Sequence, residues 1–215
     1  MTGKLPPTAS VANSLEGAKL HAPAAQRNAD VLSALVKNHA PAGGEALEIA
    51  SGTGQHVIAF AQTMPDLVWQ PSDVDAARIA SINAYAAEAG LENVKPARLL
   101  NATKQGWRAV YGKRDLVVLI NLLHLIPAPD AQTLVTEAVS ALNTGGRFIL
   151  YGPFMRSGEL TSAGDARFHR QLTDANPAIG YKDDATVEDW LWQAGATSVE
   201  RAEMPANNLA FIAKR

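Results

Sequence analysis

No cysteine occurs among the 215 residues, which excludes disulfides, zinc–thiolate centres and cysteine nucleophiles together. Neither sign of charge dominates. Nineteen Lys and Arg stand against 21 Asp and Glu, a net −2, too weak a basic field to hold nucleic acid phosphates. No run of eighteen apolar residues is present, and the opening MTGKLPPTASVANSLEG lacks the apolar core of a secretory signal. A soluble, cytoplasmic chain with neither a nucleic acid nor a membrane partner is expected. The five histidines are scattered without metal-ligand spacing, and the four tryptophans (Trp69, Trp107, Trp190, Trp192) are too dispersed for an aromatic cage. Trp190 and Trp192, two apart on one helix, cannot share a face.

Apolar residues make up 47% of the chain, enough for one sizeable core. The pattern predicts a flexible arm over 1–20, rich in Pro, Ser, Asn and Gly, and one domain over 21–215. A helix ends at His39 before APAGG. Then EALEIAS, DLVWQPSD and VKPARLLNA alternate as strands with the helical GQHVIAFAQTM and DAARIASINAYAAEAG. RDLVVLINLLHLIP reads as a fully buried strand with its exit loop, followed by a helix and the strand RFILYGPF. After the helix TVEDWLWQAGA, the stretch TSVERAEMPANNLAFIAKR leaves no room for a crossover helix, so its two strands should be antiparallel neighbours. The expectation is an α/β, Rossmann-like sheet of seven strands, six parallel and one antiparallel, with helices on both faces. The polar stretch 154–181 reads as a lid, and its Arg156, Arg167, His169 and Arg170 hint at an anionic substrate.

The stretch LEIASGTGQH carries the chemistry. A phosphate loop needs Lys-Ser or Lys-Thr after its second glycine, and Gln55-His56 stand there. A dinucleotide loop wants a third glycine where Val57 stands. What remains is an acid, Glu48, before a turn through Ser51, Gly52 and Gly54, with the following helix offering unpaired N–H groups. Asp73, about twenty residues on, can accept hydrogen bonds from ribose hydroxyls. Loop and acids together suit a nucleoside with a zwitterionic tail.

This combination resembles the class I S-adenosylmethionine-dependent methyltransferases, with Ala50 in place of the first glycine of their usual three. The resemblance implies S-adenosylmethionine as cofactor. Glu48 and Ser51–Gly54 would border its methionine part, Asp73 its ribose, and Asn101 with Ala102 its adenine. PAAQRN, LEIASGTGQH, WQPSD, INLLHLIP, YGPF and EMPANNLAF, in this order from residue 21 onward, are similar to the methyltransferase-like protein 26 family, also called domain of unknown function 938. That resemblance implies the fold and the cofactor, and no substrate.

Methyl transfer chiefly needs a lone pair aligned with a sulfonium carbon and water excluded. His124 and Asn121, beyond the fourth strand, lie at the sheet edge where such folds bind ligands, His124 as a base or substrate contact and Asn121 toward the cofactor. Arg27 in the first helix is a second catalytic candidate. Asn28, His56, Tyr151 and Asn207 are substrate candidates, each with a plain structural alternative as a cap, a packing ring or a turn residue. The expected activity is methylation of a small molecule with S-adenosylhomocysteine as co-product. A cofactor-binding protein without turnover and a nicotinamide-dependent oxidoreductase are the alternatives.

Overall fold

The computed structural model describes residues 5–6 and 9–215. The remaining residues of the expected arm, 1–4 and 7–8, lie outside the described residues. Within the arm, β1 (Asn13–Ser14) and β2 (Leu20–His21) form a small antiparallel hairpin. Helix α1 (Pro23–His39) opens with proline in its first turn, where a missing N–H costs nothing. Next come β3 (Gly44–Ile49), α2 (Gln55–Thr63), β4 (Leu67–Asp73), α3 (Ala76–Ala89) and the two-residue β5 (Arg98–Leu99). Asp75 caps α3 by accepting from the N–H groups of Ala77 and Arg78. The second half runs α4 (Arg108–Tyr111), β6 (Arg114–Ile120), a 3-10 turn (Leu123–Leu125), α5 (Ala128–Ser140) and β7 (Leu142–Met155). It closes with α6 (Ala163–Ala175), β8 (Lys182–Asp183), α7 (Asp184–Gln193), β9 (Ser198–Met204) and β10 (Asn208–Lys214).

The sheet order is β5-β4-β3-β6-β7-β10-β9. All neighbours are parallel except β10, which is antiparallel to both β7 and β9. These seven strands are the expected ones. An eighth, β8, is an addition the sequence pattern missed, because its two residues pair only with Phe154 and Met155 at the end of β7. Side-chain alternation explains the near-continuous apolar runs. Leu47, Ile49, Val117 and Leu119 pack against α5 and α7 on one face, while Ala46, Leu116 and Val118 pack against α1, α2 and α3 on the other. Trp190 is in the first core and Trp192 is exposed, as their spacing requires.

Strand order reverses between β3 and β6, since β3 leads outward to β4 and β6 leads the other way to β7. At such a switch point, the loops leaving the two strands diverge and open a crevice at their carboxyl ends.

Candidate active site

The crevice is a cavity of about 500 Å³. Its floor is the loop after β3 and the loop after β6, including Glu48, Ala50–Thr53, Asn121 and His124. Its sides are the start of α1, with Arg27, and the start of α2, with His56. Three more segments reach over it: residues 9–12, Asp165 and Phe168 of α6, and Ala206 and Asn208 at the β9–β10 turn.

The glycine loop is shaped by three left-handed residues in five: Ala50 (φ 54°), Gly52 (φ 60°) and Gly54 (φ 97°). Gly54 is required twice over. Besides its φ, a Cβ there would sit 2.9 Å from Ile82 Cα, so glycine lets α3 approach the loop. Val57, where a dinucleotide loop would place its third glycine, is instead fully buried in the core. Asp73 is 2% exposed and does not border the cavity directly. Its Oδ2 accepts from Gly52 N–H (2.9 Å) and its Oδ1 from Asp75 N–H (3.0 Å), which ties the loop to the end of β4.

Glu48 is 1% exposed, and among the described residues its Oε2 has no hydrogen-bond partner. Burial pushes its carboxyl up to about 7, with the Asp73 charge adding and Ser51 offsetting part of the rise. A buried, unpartnered carboxylate oxygen is costly unless something completes it. Arg27 is exposed and makes no ion pair or side-chain hydrogen bond among the described residues. Arg78, which the sequence reading passed over, lines the cavity and donates to Ser10 Oγ (2.5 Å), linking α3 to the arm.

Both cavity histidines are neutral. Burial takes His56 down to about 4, and burial reinforced by the Lys182 charge takes His124 down to about 3. For His56 the cause is burial, with the helix dipole unnecessary. Asn28 does not line the cavity but orients His56: its amide N–H groups donate to His56 Nε2 (2.8 Å) and to the Ala24 carbonyl (2.8 Å). Tyr151 is 3% exposed, and burial raises its hydroxyl, with the nearby Asn28 offsetting part of the rise. Asn28 and Tyr151 thus lie behind the wall and support His56, which borders the cavity.

Other candidates lie apart. Asn101 is exposed, with Oδ1 accepting from Thr103 N–H (3.2 Å) and Oγ1 (2.7 Å); Ala102 is buried, its carbonyl accepting from Trp107 Nε1 (3.1 Å). Neither borders the main cavity. Asn121 does, in a left-handed conformation that Asn tolerates (φ 55°). At the C-terminal turn Asn208 borders the cavity, while Asn207 (φ 60°) donates to Asp165 Oδ2 (3.1 Å). Of the basic residues in the 154–181 stretch, none lines the cavity. Arg156 pairs with Glu203, and His169 Nδ1 accepts from Tyr181 N–H (3.1 Å). The hint of an anionic substrate therefore loses its basis.

Two positioning contacts escaped pattern reading, because single polar residues on helices, one inside α3 and one at the start of α2, carry no distinctive spacing. Ser81 in α3 accepts from Leu20 N–H and donates to the Thr53 carbonyl, both at 2.8 Å. Gln55 Oε1 accepts from Ala22 N–H (2.7 Å) and Thr53 Oγ1 (2.9 Å). Together they fasten the arm and the start of α1 onto the glycine loop.

The strand order, the left-handed glycine loop and a cavity at the switch point define the class I methyltransferase fold. The chain matches an O-methyltransferase family protein from Burkholderia thailandensis at 20% identity and TM-score 0.76, over 89% of this chain and 56% of that one. Human N-acetylserotonin methyltransferase, solved in complex with SAM, matches at 12% identity and TM-score 0.73, over 89% and 52%. The YcgJ protein from Bacillus subtilis matches at 16% identity and TM-score 0.64, over 82% and 70%. The chain thus spans just over half the length of the first two.

At the level of family, residues 19–215 match the family described as "Protein of unknown function (DUF938)", and the chain belongs to it.

Proposed function

We propose that this protein transfers a methyl group from S-adenosylmethionine to a small-molecule acceptor in the cytoplasm. The observation that carries this reading is Glu48, whose buried carboxylate oxygen has no hydrogen-bond partner among the described residues, beside a left-handed glycine loop and a cavity of about 500 Å³. An α-ammonium group would complete it, and Arg27 supplies the matching cation for an α-carboxylate. These two opposite charges fit a free amino acid tail. At the other end of the loop, Val74 and Leu99 are 60% and 67% exposed around Asp73. An apolar heterocycle would cover them while ribose hydroxyls approach the Asp73 end of the loop.

When bound, such a cofactor supplies an electrophilic methyl on a cationic sulfur. The chain's own part is to orient and to exclude water. Residues 9–12 and α6 roof the cavity, and His124 presents a neutral imidazole that can accept a hydrogen bond from the acceptor. So weakly basic an imidazole is a poor proton acceptor near neutral pH. The accepting atom must therefore arrive with its lone pair largely available.

The test is a thermal melt with S-adenosylhomocysteine, wild type against Glu48→Gln. Saturation at a hundred times the dissociation constant adds about 2.7 kcal/mol to wild type, roughly 5 °C or more in Tm. The variant should lose most of that shift. A well-folded wild type that shows no shift overturns the reading, and a shift with reduced nicotinamide cofactor would replace it.

A further inference from the structure

The cavity has a second charged feature, on the side of α6. Asp165 projects from the first turn of that helix and lines the cavity. Its Oδ2 accepts from Ser162 Oγ (2.6 Å), Thr161 Oγ1 (2.9 Å) and Asn207 Nδ2 (3.1 Å), and its Oδ1 accepts from Tyr181 Oη (3.1 Å). All four donors are neutral. No Lys or Arg pairs with this carboxylate among the described residues, although α6 itself carries Arg167 and Arg170. Burial alone would raise its carboxyl. The four hydrogen bonds outweigh that and hold it below the usual carboxylate range, so it is an anion at neutral pH.

Beside it stands a wall of three rings. His124 lies edge-to-face with Phe168 (5.8 Å between centroids) and Tyr181 (6.1 Å), and these two meet at 6.2 Å. All three border the cavity and the imidazole is neutral, while the Lys182 ammonium, whose charge reaches His124, is tied to the carbonyls of Ile126 and Gly180 (both 2.8 Å) and does not line the cavity. An aromatic surface next to a preorganised anion without a counter-cation favours positive charge, through both the carboxylate and the ring quadrupoles.

The other carboxylate of the cavity is already assigned on the reading given above. Glu48 and Arg27 take the two ends of the amino acid tail, and Arg78 is held by Ser10 near Gly52. The Asp165 charge is left over.

We infer that the methyl acceptor is a cation, an amine- or guanidine-bearing molecule whose charged group is held by Asp165 against the Phe168–Tyr181–His124 wall. This rests on the methyl-transfer reading. A nitrogen held as a cation has no free lone pair, so the charged group is the handle, and the accepting atom is a second, neutral heteroatom of the same molecule.

The experiment measures binding to the protein saturated with S-adenosylhomocysteine and to the protein alone. Its probes are three of one shape: tyramine (cationic), 4-hydroxyphenethyl alcohol (neutral) and 4-hydroxyphenylacetate (anionic), with agmatine as a non-aromatic cation. Expected is at least tenfold tighter binding of a cationic probe than of the neutral and anionic ones. Asp165→Asn should abolish the preference while leaving S-adenosylhomocysteine binding unchanged. Asn207→Ala, which removes one donor and keeps the charge, should retain it. Equal binding of cationic and neutral probes, or no binding of any, overturns the inference. So does an Asn207→Ala loss as large as that of Asp165→Asn, which would make the carboxylate a latch between α6 and the C-terminal turn. A cation preference without any S-adenosylhomocysteine binding would instead keep the cation pocket and remove methyl transfer.

Discussion

On the proposed reading, Glu48 would couple cofactor affinity to pH. Its folded-state value of about 7 lies above the ordinary 4.5. Its contribution to stability is therefore complete below pH 4.5 and lost as pH rises to about 7. An ammonium ligand reverses the preference, because it favours the ionised form. S-adenosylhomocysteine affinity should consequently rise about tenfold from pH 6 to pH 8 in isothermal titration, and Glu48→Gln should flatten the profile. The histidines act in the opposite sense. His56 and His124 titrate near 4 and 3 when folded, so their contribution is present above 6.5 and drains away as pH falls toward those values. Between pH 4.5 and 6.5 the two histidines outweigh Glu48, so these three groups together make the ligand-free protein more stable up to about pH 7 and nearly level above it, which urea midpoints across pH 4 to 8 would reveal. Ala50 is a further residue-scale case. Its φ of 54° carries a left-handed penalty that glycine avoids, so Ala50→Gly should raise unfolding stability by about 0.5–1 kcal/mol.

At the scale of elements, the turn between β3 and α2 depends on how closely α3 can approach. Gly54→Ala would set a Cβ 2.9 Å from the Ile82 backbone at φ 97°. Strain and overpacking together should cost about 2–4 kcal/mol in urea unfolding. Elements of regular period were readable in advance, because strands buried on both faces and amphipathic helices leave long apolar signatures. That is why β3, β4, β6, β7 and the β9–β10 pair stand where the alternation put them. β8 left no such mark, since two residues are too short for any period. The site was legible where a motif has fixed spacing. Glu48, Gly52 and Gly54 follow one another along a single turn, and Asn121 and His124 mark one strand end. Asp165 and Phe168 were hidden inside a polar stretch whose basic residues were more conspicuous, and only the packing of α6 decides which side chains meet the cavity. Ser81 and Gln55 were hidden for the same reason, as their importance lies in partners 28 to 61 residues away.

For the molecule as a whole, the cavity is assembled from parts far apart in the chain: the arm, α1, two sheet loops, α6 and the last turn. No described helix is long and apolar enough to cross a membrane. Among the described residues the arm is tied to α3 by Leu20 to Ser81, Lys19 to Glu88 and Ser10 to Arg78, and just beyond it Ala22 is tied to Gln55. Ligand beneath it should slow amide exchange over residues 9–22 by tenfold or more, leaving β6 and β7 unchanged, as read by hydrogen–deuterium exchange with and without S-adenosylhomocysteine. The placement of β10 has a temporal consequence. This strand lies between β7 and β9, paired along seven residues on each side, yet it is the last of the strands in sequence. During synthesis β7 must wait with one edge bare until Asn208–Lys214 leave the ribosome, and the turn bearing Ala206 and Asn208 arrives with them. The nascent chain therefore holds every catalytic candidate before it has a closed pocket, and a chain cut short before Asn208 would display an open, adhesive sheet edge along β7.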